Sequence, residues 1–332
     1  MSYPTRRPTD LDREAGESFD PPNSLLTMPW VDGHTHAHTL SWADRERYAL
    51  TGCRGLVTVA SGYHWTPYRP VRAADVRYCW DDALARRPNV EREHFYDVGV
   101  ALGVHTGVRV ADPADLLAAL ADYCELEEVV AVGETGVTPS QHAERWPLDG
   151  QREAVREQFA LAADHDLPAI LHTPNQRAAD GRSYRPGVGT PGFERDGALA
   201  TDPVLDGENP ALEATRMDVE LAREAGLPES RVVASHADPN LVDYLLGETD
   251  CYASFTVGYP WLTGVDAADV ADAIERYGPE RVLLDTDCAN VLRTDPFAVK
   301  RAVFELYRLG VETSAIRQVV YENPRELFGV GG

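Results

Sequence analysis

The sequence has almost no lysine. Lys300 is the only one, so arginine supplies 30 of the 31 basic side chains (31 − 1 = 30) against 54 acidic ones, and the net charge is −23. Such a chain repels polyanions through its overall field, and phosphate backbones need positive charge close by. Any nucleic-acid substrate must therefore be met by a local arginine cluster and bound cations. The acid is spread along the chain rather than gathered in a tail. That distribution suits a very salty cytoplasm, where screening removes most of the mutual repulsion, and a halophilic source is expected.

Other absences narrow the class. The five cysteines (Cys53, Cys79, Cys124, Cys251, Cys288) are odd in number and form no C-x-x-C, which favours reduced thiols in a cytoplasm over a disulfide framework. No apolar run reaches the ~20 residues needed to span a bilayer, and Arg6-Arg7 is not followed by an export-type apolar stretch, so no membrane partner is expected. No Gly-x-Gly-x-x-Gly follows the first apolar run, which argues against a dinucleotide-binding open sheet. No linker-like stretch or internal repeat divides the chain. One domain is expected over residues 26–332, after a loose, polar, proline-rich arm over 1–25.

What is present is periodic. Short apolar runs bounded by turn residues recur around 28–34, 55–60, 97–105, 129–134, 168–172, 231–236, 250–257 and 281–287. Helical spacing separates them, clearest at 112–125 (Leu116, Leu117, Leu120) and 151–165 (Val155, Phe159, Ala162). Near-continuous apolar strands alternating with amphipathic helices predict a parallel sheet covered on its outer face. Eight such units fit a (β/α)8 TIM barrel with long loops after its second strand (61–80) and fifth strand (173–215).

Six metal-ligand residue types stand at or near the ends of these runs: His34 and His36 in Val31-Asp-Gly-His-Thr-His, Glu134 in Val132-Gly-Glu-Thr-Gly, His172 in Ile170-Leu-His, His236 in Ala234-Ser-His, and Asp287 in Leu284-Asp-Thr-Asp. A (β/α)8 barrel gathers its C-terminal strand ends at one mouth, so the six converge. Imidazole and carboxylate suit divalent cations, and four His with two carboxylates can supply one or two ions of Zn, Mn or Mg. A single His at a strand end is usually an ordinary turn residue; six in order are a far stronger signal.

These ordered motifs resemble the TatD family of metal-dependent hydrolases, within the amidohydrolase superfamily. Asp32-Gly-His-Thr-His is similar to the family's first-strand Asp-x-His-x-His, Gly103-Val-His-Thr to its Gly-x-His-Pro, and Gly133-Glu-Thr-Gly to its Gly-Glu-x-Gly. Gln158-Phe-Ala-Leu-Ala…Leu167-Pro-Ala-Ile-Leu-His is similar to its fourth helix and fifth strand. Glu280-Arg-Val-Leu-Leu-Asp-Thr-Asp is similar to its Arg-x-Leu-x-Glu-Thr-Asp, and Tyr321-Glu-Asn-Pro-Arg-Glu-Leu-Phe-Gly to its C-terminal Asn…Leu-Phe. The resemblance runs from Val31 to Gly329. It implies a barrel hydrolase, often a deoxyribonuclease, and places the acid that binds metal at Asp287, with Asp285 a layer deeper.

From charge and spacing, His34 and His36 grip one cation, His172 and His236 another, and Glu134 bridges them. Asp287 and Glu134 are the candidate catalytic residues, Asp287 taking a proton from the attacking water and returning it to the leaving group. No lysine lies near the fourth strand end, which excludes a carbamylated-lysine bridge. The resemblance implies that His105 faces the pocket, while Arg177, Arg182 and Arg185 are candidate oxyanion contacts or merely solvated loop charges. In the other long loop, His64, Trp65, Tyr68 and Arg69 either stack a base or pack the rim. His38 is expected to be structural, and His94, His142 and His165 ordinary surface or helix residues. Two substrate classes remain: a phosphodiester such as DNA, or a small-molecule amide, lactone or ester.

Overall fold

A computed structural model of the protein describes residues 21–61, 70–107, 110–138, 146–173, 209–257, 265–289 and 295–332. Eight strands pair in chain order as one parallel sheet: β1 (Trp30–Thr35), β2 (Cys53–Ala60), β3 (Asp97–Leu102), β4 (Val129–Thr135), β5 (Ala169–His172), β6 (Val232–Ser235), β7 (Tyr252–Thr256) and β8 (Val282–Asp285). The expected barrel is the observed one. Its seam is made where β8 meets β1: the Asp287 amide donates to His34 O (2.9 Å) and the His36 amide to Cys288 O (2.8 Å). Beside it, the fully buried Asp32 accepts from the Thr286 amide and hydroxyl (3.1 and 2.6 Å).

Strand alternation divides the core in two. Val57, Val59, Ala101, Ala131, Ile170, Val233 and Leu283 form one cluster with Leu327, Phe328 and Val330 of the C-terminal segment, which plugs the barrel below the site. The alternate residues, among them Leu56, Ala60, Leu102 and Leu284, pack outward against the helices. The described helices are α1 (Asn23–Leu26), α2 (Trp42–Leu50), α3 (Ala73–His94), α4 (Pro113–Cys124), α5 (Leu148–Asp164), α6 (Pro210–Glu224), α7 (Pro239–Gly247), α8 (Ala267–Tyr277), α9 (Ala298–Arg308), α10 (Thr313–Arg317) and α11 (Asn323–Phe328), the last of which carries Leu327 and Phe328 into the inner cluster. Pro at the first turn of α4, α6 and α7 fits, because those amides need no partner within the helix.

Some boundaries move. The loop expected over 61–80 ends where α3 begins at Ala73, and the one expected over 173–215 ends where α6 begins at Pro210. Each misread stretch, 73–80 and 210–215, covers only about two helical turns, too short for a helical period to show. Leu25 is fully buried in α1, so packed structure begins inside the segment expected as an arm. The sole lysine holds it there: Lys300 Nζ donates to Leu25 O and Leu26 O at 3.1 and 2.9 Å. His94, expected at an ordinary surface or helix position, ends α3 and is buried, with its ring 5.3 Å from that of Trp42. No helix among the described residues is long and apolar enough to cross a membrane.

Candidate metal centre

The side chains that define the mouth leave the strands at different heights. His34 and Glu134 lie within β1 and β4, His172 ends β5, and His36 and His236 stand one residue past β1 and β6. Asp287 is two residues beyond β8, so strand alternation alone does not fix its direction. His236 and Asp287 have φ of 61° and 46°, a left-handed backbone costly for residues with a Cβ, by about 1–3 kcal/mol. The chain turns sharply at both strand ends, which aims the two side chains inward. A second close approach joins β3 to β4. A Cβ on Gly103 would lie 2.7 Å from the carbonyl carbon of Gly133, so glycine lets the His105 and Glu134 segments touch.

Glu134 is central. Its Oε1 lies 2.6 Å from His172 Nδ1, 3.1 Å from His236 Nε2 and 3.7 Å from His34 Nε2. Asp287 Oδ1 lies 3.1 Å from His36 Nε2 and 3.8 Å from His34 Nε2. Exposure rises from the floor to the mouth: the side chains of His34, Glu134, Asp287 and His172 are 1, 3, 13 and 29 % exposed. The structure thus brings together all six side chains singled out in the sequence. His105 joins them, its ring 4.5 Å from that of His172, and its Nδ1 accepts the Gly107 amide at 2.9 Å. His38, buried beside them, bonds the Thr58 hydroxyl at 2.9 Å. Arg177, Arg182, Arg185, His64, Trp65, Tyr68, Arg69, His142 and most of the 1–25 segment lie outside the described residues.

The donor set fits a divalent cation on two grounds. First, His34 Nε2 is buried without a hydrogen-bond partner among the described residues, between two carboxylate oxygens at 3.7 and 3.8 Å. That separation suits an ion with bonds of about 2.0–2.2 Å to each donor. Second, His36 Nδ1 meets the carbonyl of Val59 at 2.8 Å. A carbonyl only accepts, so Nδ1 carries a ring proton; in the neutral ring the Nε2 lone pair then faces the Asp287 carboxylate. In the metal-free protein a second ring proton fills that gap: burial opposes it, but the contact with Asp287 raises the His36 pKa. Two acceptors that close repel unless a positive charge lies between them. The donor atoms of His34, His36 and Glu134, all within 4.8 Å of one another, can hold such an ion.

The electrostatics agree. Burial pushes the Glu134 carboxyl upward, but His172 and His34 outweigh it and hold it well below the usual carboxylate range. Asp287 is likewise raised by burial and lowered further by its bond to His36. Burial disfavours a charged His236, yet the bond to Glu134 and the field of Asp287 raise its pKa to about 9. A site that favours a proton on a buried imidazole also favours a cation. His38 lies outside this field and is driven down to about 3 by burial and by the neighbouring His36, which suits a structural role.

A family model described as TatD related DNase matches residues 31–329. The chain belongs to this family. An uncharacterised metal-dependent hydrolase of Methanocaldococcus jannaschii is 24 % identical over 299 residues, covering 90 % of this chain and 99 % of that one. Among solved structures, a TatD-like protein from Archaeoglobus fulgidus superposes with a TM-score of 0.60 at 19 % identity, over 90 % of this chain and all of the other. Yeast dihydroorotase superposes with a TM-score of 0.58 at 9 % identity, over 91 and 84 % of the two chains, which is a likeness of fold. This TatD-family chain is therefore a metal-dependent hydrolase.

The sequence reading missed the layer behind the ligands. Ser235, Ser254, Thr256 and the Val59 carbonyl bond the outer atoms of the site, but as small strand residues they carry no pattern that marks them.

Proposed function

We propose that this TatD-family hydrolase cleaves phosphodiester bonds, as a deoxyribonuclease-type enzyme. His34, His36 and Asp287 would hold one divalent cation, His172 and His236 a second, and Glu134 would serve both. When bound, such cations lower the pKa of a coordinated water and polarise the oxygen under attack. The protein's own part is proton handling and orientation. Asp287 accepts the proton of the attacking water and returns it to the leaving oxygen. It is the more solvent-facing of the two carboxylates, and its pKa held low keeps it a base at neutral pH. His105, at the opposite rim beside His172, donates a hydrogen bond to a substrate oxygen.

The observation that carries the hydrolytic reading is the single carboxylate of Glu134 within 3.7 Å of three imidazoles. Support for a phosphodiester comes from the family, whose model carries the description DNase. Against it stands the net charge of −23, which favours the second reading, an uncharged amide, lactone or ester. Assays of protein loaded with Zn, Mn or Mg on DNA oligomers, a bis-aryl phosphodiester and simple lactones decide between them. Turnover confined to the lactones removes the phosphodiesterase reading, and no turnover with any metal removes both.

A further inference from the structure

We propose that Asp285 is a positioning residue for His236, acting through the hydroxyl of Thr256 to hold the imidazole in its Nδ1–H form. Asp285 is fully buried at the end of β8 and stands directly opposite Thr256 of β7 in the strand register. Its Oδ1 accepts from Thr256 Oγ1 at 2.7 Å, and its Oδ2 from Ser254 Oγ at 2.5 Å. The same Thr256 oxygen lies 2.7 Å from His236 Nδ1.

A hydroxyl has one proton to give. With that proton directed at the Asp285 carboxylate, the threonine oxygen meets His236 only as an acceptor, so Nδ1 must donate. A neutral imidazole has a single N–H, and the Nε2 lone pair is left facing Glu134 Oε1 at 3.1 Å. Thr256 alone would accept either form of the ring; the carboxylate behind it removes the choice. Burial raises the Asp285 carboxyl, and the nearby imidazoles of His34 and His236, then the hydroxyls of Ser254 and Thr256, act against that rise in favour of the carboxylate. His34 supplies an internal contrast. Its Nδ1 bonds Ser235 Oγ at 3.0 Å, a contact that can run in either direction.

This inference rests on the metal-centre reading for its purpose but not for its test, because the form of the ring is measurable without metal. Nitrogen-15 spectra of histidine-labelled full-length protein, metal-free and at a pH high enough for the His236 ring to be neutral, should show it as Nδ1–H. In Asp285→Asn the amide donates to Thr256, which frees the hydroxyl proton for His236. Asp285→Asn and Thr256→Val should therefore populate Nε2–H at His236 and weaken zinc binding ~10- to 100-fold, measured against a chromophoric chelator. Thr256→Ser should restore both, and the His36 signals should stay unmoved throughout. A wild-type His236 found as Nε2–H overturns the proposal, as does an unchanged His236 in the folded variants. Wild-type protein that takes up no zinc but shows the expected ring forms would instead count against the metal reading alone.

Discussion

The Gly107 amide donates to His105 Nδ1 at 2.9 Å. An amide cannot accept, so the proton of the neutral ring sits on Nε2, and His105 presents an N–H where His36 presents a lone pair. Donor atoms of His105, Glu134 and His172 lie within 4.8 Å of one another, as a metal site would require. The fixed ring form argues instead for hydrogen bonding to a substrate oxygen. His105→Ala is expected to lower kcat/KM by ~10²-fold, as for loss of one donor to a developing oxyanion, while metal content stays the same. Elemental analysis showing lost metal would place His105 among the ligands.

Metal content tests the centre as a whole. Gently purified protein should carry one to two divalent cations per chain, or take them up on reconstitution. Replacing His34 and His36 together should remove one of them. A chain that binds none under any condition is incompatible with the proposed site.

Asp287→Asn separates chemistry from architecture. It removes the proton acceptor and one donor of the first cation, and should lower kcat by ~10²–10⁴-fold while the cation at His172 and His236 is retained. Asp285→Asn should be the milder change in kcat at saturating metal. If Asp285→Asn is the inactive variant and Asp287→Asn turns over normally, the roles are reversed.

How far the sequence foresaw this site depends on the kind of signal. The convergence of the candidate ligands was legible because the barrel brings C-terminal strand ends together, so chain order alone predicted that His34, Glu134, His172 and His236 would meet. The Asp285–Thr256 pairing was not legible, since it depends on the register of β7 against β8, which no residue pattern specifies. Helix starts at Ala73 and Pro210 were hidden because each misread stretch, 73–80 and 210–215, covers only about two helical turns, too short for a helical period to show. The role of Lys300 as a clamp on α1 was equally invisible, because its partners are backbone carbonyls.

A pH prediction comes from Asp218 on α6. It is fully buried; its Oδ1 accepts the Val137 amide at 2.9 Å and its Oδ2 has no partner among the described residues. Burial pushes its carboxyl up to about 8. The folded state therefore holds a proton that the unfolded chain releases near the ordinary aspartate value of about 4. Stability from this group is complete below that value, declines as pH rises, and is lost on passing through pH 8. Asp218→Asn keeps the acceptor and cannot ionise. Its melting temperature relative to wild type should rise between pH 5 and 8; a difference constant with pH would show that Asp218 is already ionised in the fold.

Salt addresses the acidic surface. The Debye length falls from about 30 Å at 0.01 M to about 3 Å at 1 M, so added KCl should raise the melting temperature of a chain with charge −23. Binding of DNA weakens with salt by counterion competition, so activity on DNA should peak at intermediate KCl, whereas activity on a neutral lactone should follow folding alone. A melting temperature that falls steadily with KCl contradicts salt adaptation.

The seam between β1 and β8 ties the metal centre to the order in which the chain is made. His34 and His36 leave the ribosome some 250 residues before Asp287 (287 − 34 = 253), whose amide bonds His34 O. Until that partner arrives, the two imidazoles lack both their carboxylate and the backbone bonds that hold the β1 end in place. The proposed first cation site thus comes into being only on barrel closure. A cation bound there would act as a latch on the finished barrel, adding to its stability by mass action and leaving partly made chains unrewarded.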